Sequence, residues 1–191
     1  MNEKLFDPRK LEKLNNPERL KKIPPDYIWK KLKLSHPEVL VDIGAGTGFF
    51  SIQFQKYLDG GKIFACDVSD IMISWMLDNV AGFYPGIIPT KINGSKLPLS
   101  DGVADLVFMI NVHHELDNVE GIFKEIDCVL KVGGKVCIVD WKNEEMVEGP
   151  PQHIRCHPED IRDQLVKGGF QNIHIDQEMA QHYLIIAEKT V

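Results

Sequence analysis

The chain has no apolar stretch approaching the roughly 20 residues that a membrane-spanning helix requires, so no integral membrane segment is expected. Its polar start, Met1-Asn2-Glu3-Lys4, has no apolar signal core, from which a cytoplasmic location is expected. Cysteine is scarce. Cys66, Cys128, Cys137 and Cys156 include no C-x-x-C pair and read as free thiols, which argues against a disulfide-stapled secreted fold. His153, Cys156 and His157 have metal-binding chemistry without zinc-ligand spacing, so no metal is expected. Positive charge is in deficit, with 22 Lys and Arg against 28 Asp and Glu. Binding a phosphate backbone needs a concentrated positive surface, so nucleic acid is not expected as a partner. No internal repeat or low-complexity segment is visible.

At 191 residues the chain is one domain by size and long enough to bury a substantial core. An N-terminal segment, residues 1–36, precedes the main domain, residues 37–191. Pro8, Pro17, Pro24, Pro25 and Pro37 cut the segment into short pieces, and helical spacing is visible over 17–22 and 26–33. Leu11, Leu14, Leu20, Ile23, Ile28, Leu32 and Leu34 recur at three- and four-residue intervals, so these pieces must pack across the main domain. They form a lid or an interface; a monomer and a homodimer both remain open. The basic run Lys10, Lys13, Arg19, Lys21, Lys22, Lys30, Lys31 and Lys33 is a solvated helix face or a surface for an anionic substrate or membrane.

The most informative stretch runs from Val39 to Phe50, VLVDIGAGTGFF. An apolar strand ends in Asp42, three alternating glycines follow, and an amphipathic helix begins at Phe49. Glycines at such a turn permit φ > 0 and let a ligand lie against the backbone. Phe49 stands where the dinucleotide fingerprint G-x-G-x-x-G would place its last glycine. The next strand, from Lys62, ends in Asp67, a carboxylate placed to accept from both ribose hydroxyls of a bound nucleoside.

The pattern D-x-G-x-G-x-G from Asp42 to Gly48 resembles motif I of the class I S-adenosylmethionine (SAM) methyltransferases. Asn93-Gly94-Ser95-Lys96-Leu97-Pro98-Leu99, followed by the strand Ala104–Ile110, is similar to the G-D-A-x-x-L-P-F…F-D-x-V segment of the ubiquinone/menaquinone-type, type 11, methyltransferases. In that family an acid before the L-P turn accepts from the adenine amino group. Asn93 stands there instead, with an amide oxygen that accepts more weakly. The resemblance implies SAM as cofactor, S-adenosylhomocysteine (SAH) as product and a small-molecule acceptor. It also implies cofactor contacts from Asp42, Gly44, Ala45, Gly46, Asp67, Val68, Met72, Asn93, Gly94 and Asn111. Two alternatives stand beside methyl transfer: a SAM- or SAH-binding protein without turnover, and an oxidoreductase with a nicotinamide nucleotide on the same turn.

Strands alternate with helices thereafter, which predicts an α/β Rossmann-like fold in three layers around a mostly parallel sheet. Ser69 is expected to cap a helix over 70–79, Asp117 with Glu120 to form a capping box, and Gly133-Gly134 to release a strand over 135–140. Pro158 starts a helix that Gly168-Gly169 ends, and the last two strands lie too close in sequence to be parallel. The resemblance implies seven strands in the order 3-2-1-4-5-7-6, the last antiparallel.

The acceptor should lie beyond the carboxyl ends of strands four and five. His114 is the candidate base, with Asp140 beside it as a second catalytic candidate. His113, Trp141 and Arg155 are candidate substrate contacts. Each has a packing alternative: a histidine filling the turn, an acid satisfying helix N–H groups, a core indole, a surface arginine. Met72 is equally read as helix core. Cys156 would matter if the acceptor were a metalloid bound through thiolates.

Overall fold

The computed structural model describes residues 11–191, so the first ten residues of the N-terminal segment, with Pro8 and Lys10, lie outside the described residues. Among the described residues seven strands form one sheet: β1 Val39–Ile43, β2 Lys62–Asp67, β3 Ile87–Lys91, β4 Ala104–Ile110, β5 Leu130–Trp141, β6 Gln171–Asp176 and β7 His182–Glu188. Their order is β3-β2-β1-β4-β5-β7-β6. The first five pair in parallel, and β7 pairs antiparallel with both β5 and β6. The chain leaves β1 in one direction for β2 and β3, then returns to its other side as β4. That reversal opens a crevice at the carboxyl ends of β1 and β4.

Seven α-helices accompany the strands among the described residues: α1 Leu11–Leu14, α2 Arg19–Lys22, α3 Pro25–Leu32, α4 Phe49–Gln55, α5 Asp70–Met76, α6 Val119–Val129 and α7 Pro158–Lys167. Side chains alternate across each strand, so the sheet buries two faces. One face, with Val41, Val107, Ile138 and Ile185, packs on Phe123 and Ile126 of α6 and Ile161 and Leu165 of α7. The other, with Leu40, Leu106, Val139 and Leu184, packs on Ile28 and Leu32 of α3, Phe54 of α4 and Met76 of α5.

The N-terminal segment therefore divides. Its helix α3 belongs to the second layer and is pinned to β6, where Tyr27 Oη and Lys31 Nζ donate to Asp176, both at 2.7 Å. Among its described residues, α1 and α2 contribute no buried side chain to that layer.

Local signals explain most boundaries. Ser69 Oγ accepts from Met72 N and starts α5, which ends in a π turn over Leu77–Ala81. Pro158 opens α7, and Gly169, at φ 90°, closes it as Phe170 N donates back to Leu165 O. Two expectations need correction. The cap of α6 is Asn118, whose Oδ1 accepts from Gly121 N at 2.9 Å, rather than Asp117. Strand β5 begins at Leu130, five residues early. The register jumps from Ala104–Leu130 to Leu106–Lys135, so Gly133-Gly134 forms a bulge inside the strand instead of a turn before it.

Candidate active site

The glycine turn after β1 is held by the end of β2. Gly44 N and Ala45 N both donate to Cys66 O, at 2.9 and 3.0 Å, and Gly46 N donates to Asp67 Oδ2 at 2.8 Å. Gly44, Gly46 and Gly48 all have φ between 57° and 73°, a region where a Cβ meets the following carbonyl. Asp67 Oδ1 accepts from Ser69 N at 2.8 Å. Each oxygen keeps a lone pair, so the carboxylate can still receive two ribose hydroxyls. Burial raises the pKa of Asp67, partly offset by its bonds to Ser69 and Gly46 and by Lys91. Beside it, Val68 and Ile71 keep exposed apolar surface, whereas Met72 is buried. Asn93 is exposed at a tight turn with Lys96, and Gly94 has open space around it.

Asp42 is buried beneath the turn and accepts from Ser51 Oγ at 2.6 Å. Burial pushes its pKa up to about 7, helped by Asp67 and opposed by the Ser51 bond and Arg19. Arg19 comes from α2. Its guanidinium lies over the rings of Phe49 and Phe50, at 5.2 and 4.8 Å, and Nη1 donates to Leu14 O. The Leu14 side chain in turn lies over Gly46, so α1 and α2 roof the turn. Lys22 pairs with Glu148 and joins this roof to the loop after β5.

The ends of β4 and β5 are stapled by Asp140. Its Oδ1 accepts from His114 Nδ1 and Trp141 N, both at 2.8 Å, and its Oδ2 accepts from His114 N at 3.1 Å. With three donors in place, Asp140 fixes the orientation of His114. Burial disfavours charge on His114, but the hydrogen bond and charge of Asp140 outweigh it and raise the pKa. Nε2 lies 3.9 Å from Glu115 Oε1. Because the folded pKa is raised, the pair's contribution to stability is complete below the unfolded value near 6.5. It is lost as pH rises through the folded value. Relative to His114→Gln, wild-type stability should therefore be greatest near about pH 6 and decline on the alkaline side. A pH-independent difference in denaturant midpoint would contradict the pairing.

His113 is a correction. Its ring is turned to the helices: Nε2 donates to Gln164 Oε1 of α7 at 2.9 Å, and the ring lies 6.0 Å from Phe123 of α6. Burial lowers its pKa. It ties the turn after β4 to the helical layer, and its Nδ1 is buried without a partner.

Arg155 is a second correction. Expected as a clamp for an anionic substrate, it is buried and donates to four carbonyls: Pro150, Lys142, Glu144 and Glu148. It shapes the loop over 142–155 into a fixed wall. Replacing it with methionine leaves those carbonyls unmet, at a cost of about 3 kcal/mol. The melting temperature should fall by about 6–12 °C, and the loop should become sensitive to protease; an unchanged melting curve would refute this role. Trp141 lies against the wall, 5.8 Å from the guanidinium, and meets the His182 ring at 4.2 Å, tilted by 42°.

Several polar atoms at this edge are buried without a partner: Thr47 Oγ1 in the glycine turn, Asn111 Oδ1 after β4, and both ring nitrogens of His182. Asn111 also adopts φ 60° while its N–H donates to Val139 O. Buried polar groups are normally satisfied, so these atoms stand out. Sequence reasoning passed over Arg19, Thr47 and His182 as site residues. The glycine pattern gave a local reason to look at Thr47; Arg19 stood out only as part of the basic run, and His182 lies in an unremarkable segment. The four thiols are free, two of them buried and two partly buried. Cys66 is buried with its pKa pushed up to about 12, and burial raises Cys137 as well. Cys156 packs against the α6–α7 layer. No three His, Cys, Asp or Glu side chains are grouped to hold a metal among the described residues. No helix among them is long and apolar enough to cross a membrane.

A sheet of this order, with its glycine turn locked to the strand-end acid of β2, defines the class I methyltransferase fold. The chain belongs to the methyltransferase-domain family, whose sequence model matches residues 41–138. It is similar to a SAM-dependent methyltransferase from Aquifex aeolicus, at 27% identity and a TM-score of 0.92, covering 97% of this chain and 100% of that one. Among curated proteins it resembles the malonyl-[acyl-carrier protein] O-methyltransferases of Legionella pneumophila and Hahella chejuensis. Identity is 26% over 172 residues and 29% over 103 residues, spanning 81% and 52% of this chain. The matches span 60% and 35% of those relatives' own lengths.

Proposed function

We propose that this protein transfers the methyl group of S-adenosylmethionine to a small-molecule acceptor. The observation that carries the reading is the carboxylate of Asp67, fixed by Gly46 N and Ser69 N with capacity left for two ribose hydroxyls. Asp67 would hold the ribose. The surface of Val68, Ile71, Asn93 and Gly94 would receive the adenine, with Met72 beneath it. The turn Gly44-Ala45-Gly46 over Asp42, with Thr47 and Asn111, would take the amino-acid portion. The bound sulfonium supplies an already activated methyl group.

The remaining work of the protein is alignment. An acceptor held in line with the transferring methyl behaves as an intramolecular reactant, an effect worth up to roughly 7–11 kcal/mol. Trp141 and the loop pinned by Arg155 would wall the acceptor site, and α1 and α2 would exclude water. His114 Nε2 would take a proton from an acceptor that must lose one, and Asp140 holds the ring in place for it. The four free cysteines support a cytoplasmic setting, and the acidic net charge supports a small molecule over nucleic acid. The names of the curated relatives add acyl carboxylates to the acceptors worth trying.

The test is label transfer from methyl-labelled SAM to a broad acceptor panel. Transfer that disappears in His114→Gln for hydroxyl acceptors would support the assigned base. SAH binding without transfer to any acceptor would leave a non-catalytic binder.

A further inference from the structure

Helices α1 and α2 carry a cation to the glycine turn. Leu14 of α1 lies over Gly46, its Cδ1 3.4 Å from the place a Cβ would take, and Leu14 O accepts from Arg19 Nη1. The Arg19 guanidinium rests on the rings of Phe49 and Phe50, the first two residues after Gly48. Phe49 is the residue that departs from the dinucleotide pattern, so the ring that breaks that pattern also seats a positive charge beside the turn. Aromatic faces and a carbonyl hold a guanidinium in place without neutralising it.

The acid that acts on Arg19 is Asp42, and it is a poor counter-ion. Asp42 is buried beneath the turn and bound to Ser51 Oγ, and burial pushes its pKa up to about 7, so near neutral pH it is only partly ionised. Burial also lowers the pKa of Arg19, to about 10, which still leaves it charged. A half-buried cation facing a fractional charge gains more from a full anion than an exposed one does, because attraction strengthens as water is removed. The guanidinium fork matches the two oxygens of a carboxylate, and Leu14 O takes one of its five N–H groups.

Two buried atoms without partners flank this cation. Thr47 Oγ1, in the turn between Gly46 and Gly48, can donate to a carboxylate. Asn111 Oδ1 can accept from an ammonium, and it lies at the other end of the turn, next to Val112, which packs on Gly44. The two charges of an amino-acid group would therefore find separate partners along one short stretch of backbone.

We propose that Arg19 binds the carboxylate of the cofactor's amino-acid end, with Thr47 Oγ1 beside it and Asn111 Oδ1 on the ammonium. The proposal rests on the methyl-transfer reading and deepens it, because α1 and α2 become part of the cofactor site as well as its roof. Lys22, one turn beyond Arg19, pairs with Glu148, whose carbonyl accepts from Arg155. The segment that grips the carboxylate is thus tied to the wall of the acceptor side.

The experiment titrates the full chain calorimetrically with SAH, with decarboxylated SAH, which keeps the ammonium, and with methylthioadenosine, which lacks the amino-acid end. Wild type should bind SAH at least about tenfold more tightly than decarboxylated SAH, as expected for hydrogen bonds between charged groups. Arg19→Met keeps an apolar stem against the rings. It should bind SAH roughly ten- to a hundredfold more weakly and leave methylthioadenosine unchanged. Decarboxylated SAH, relieved of a like charge, should bind this variant as well as wild type or better. Arg19→Lys keeps the charge without the fork and should retain part of the preference; should Arg19→Met fail to fold, Arg19→Gln carries the same comparison. An Arg19→Met that keeps the wild-type preference for SAH, or that weakens all three ligands alike, overturns the proposal and leaves Arg19 as a prop for α2. Equal binding of SAH and decarboxylated SAH by wild type overturns it too. A wild type that binds neither SAH nor methylthioadenosine would instead overturn the methyl-transfer reading beneath it.

Discussion

Replacing Asp67 with alanine should lower the affinity for SAH by roughly 100- to 1000-fold in a calorimetric titration. Hydrogen bonds to a charged group contribute about 1.5–3 kcal/mol each, and each tenfold in affinity is about 1.4 kcal/mol. Two ribose hydroxyls are at stake, so the lower end of that range already gives the hundredfold loss. The same substitution releases Gly46 N and Ser69 N, which loosens the turn on which the rest of the cofactor would lie. Asp67→Asn keeps the shape but accepts through one oxygen, and should fall between wild type and alanine. Asp70→Ala is the control: that side chain is exposed, pairs with Lys91, and should leave SAH affinity unchanged. An Asp67→Ala variant that binds SAH like wild type would remove the cofactor site from this turn.

Gly44→Ala should destabilise the fold by roughly 2–5 kcal/mol, from about 1–2 for a Cβ at positive φ and about 1–3 for overpacking. An added Cβ would lie 2.5 Å from Val112 Cγ2 and 2.8 Å from Cγ1, at φ +71°. For a chain of this length the melting temperature should drop by about 10 °C. The two components separate in a double mutant. Val112→Ala makes room, so Gly44→Ala/Val112→Ala should recover the overlap part of the loss but not the backbone part. A Gly44→Ala protein that melts like wild type would mean that the turn is not held as described. The glycine would then serve the ligand rather than the packing of β1 on the loop after β4.

How far the sequence reveals this molecule depends on whether a feature is local. The glycine spacing from Gly44 to Gly48 and the acid ending β2 announce themselves because a strained turn admits few residues, and the structure has all three glycines at positive φ. Ser69 was legible for the same reason, since a cap bonds three residues ahead. The α6 cap was missed by one position because Asp117 and Asn118 are both good caps and only side-chain direction separates them. Gly133-Gly134 looked like a turn, and a sheet that absorbs it as a bulge cannot be anticipated from spacing.

At the site, the residues that went astray are those whose partners are distant or are backbone. Arg155 has the composition of an anion clamp, and nothing local says that four carbonyls converge on it. His113 and His114 are adjacent in the short helical turn after β4, yet one turns to Gln164 and the other to Asp140, which nothing local in the sequence decides. His182 sits at the head of an apolar strand and becomes conspicuous only when both of its nitrogens are found buried and unpartnered.

Calorimetric titration of the purified protein with SAM, SAH and NADH tests the central claim most directly. The account predicts micromolar binding of SAM and SAH and none of NADH, because the turn presents Phe49 where a dinucleotide site needs glycine and Asp67 where a nucleoside needs its ribose anchor. Binding of NADH with no response to SAM or SAH would contradict it.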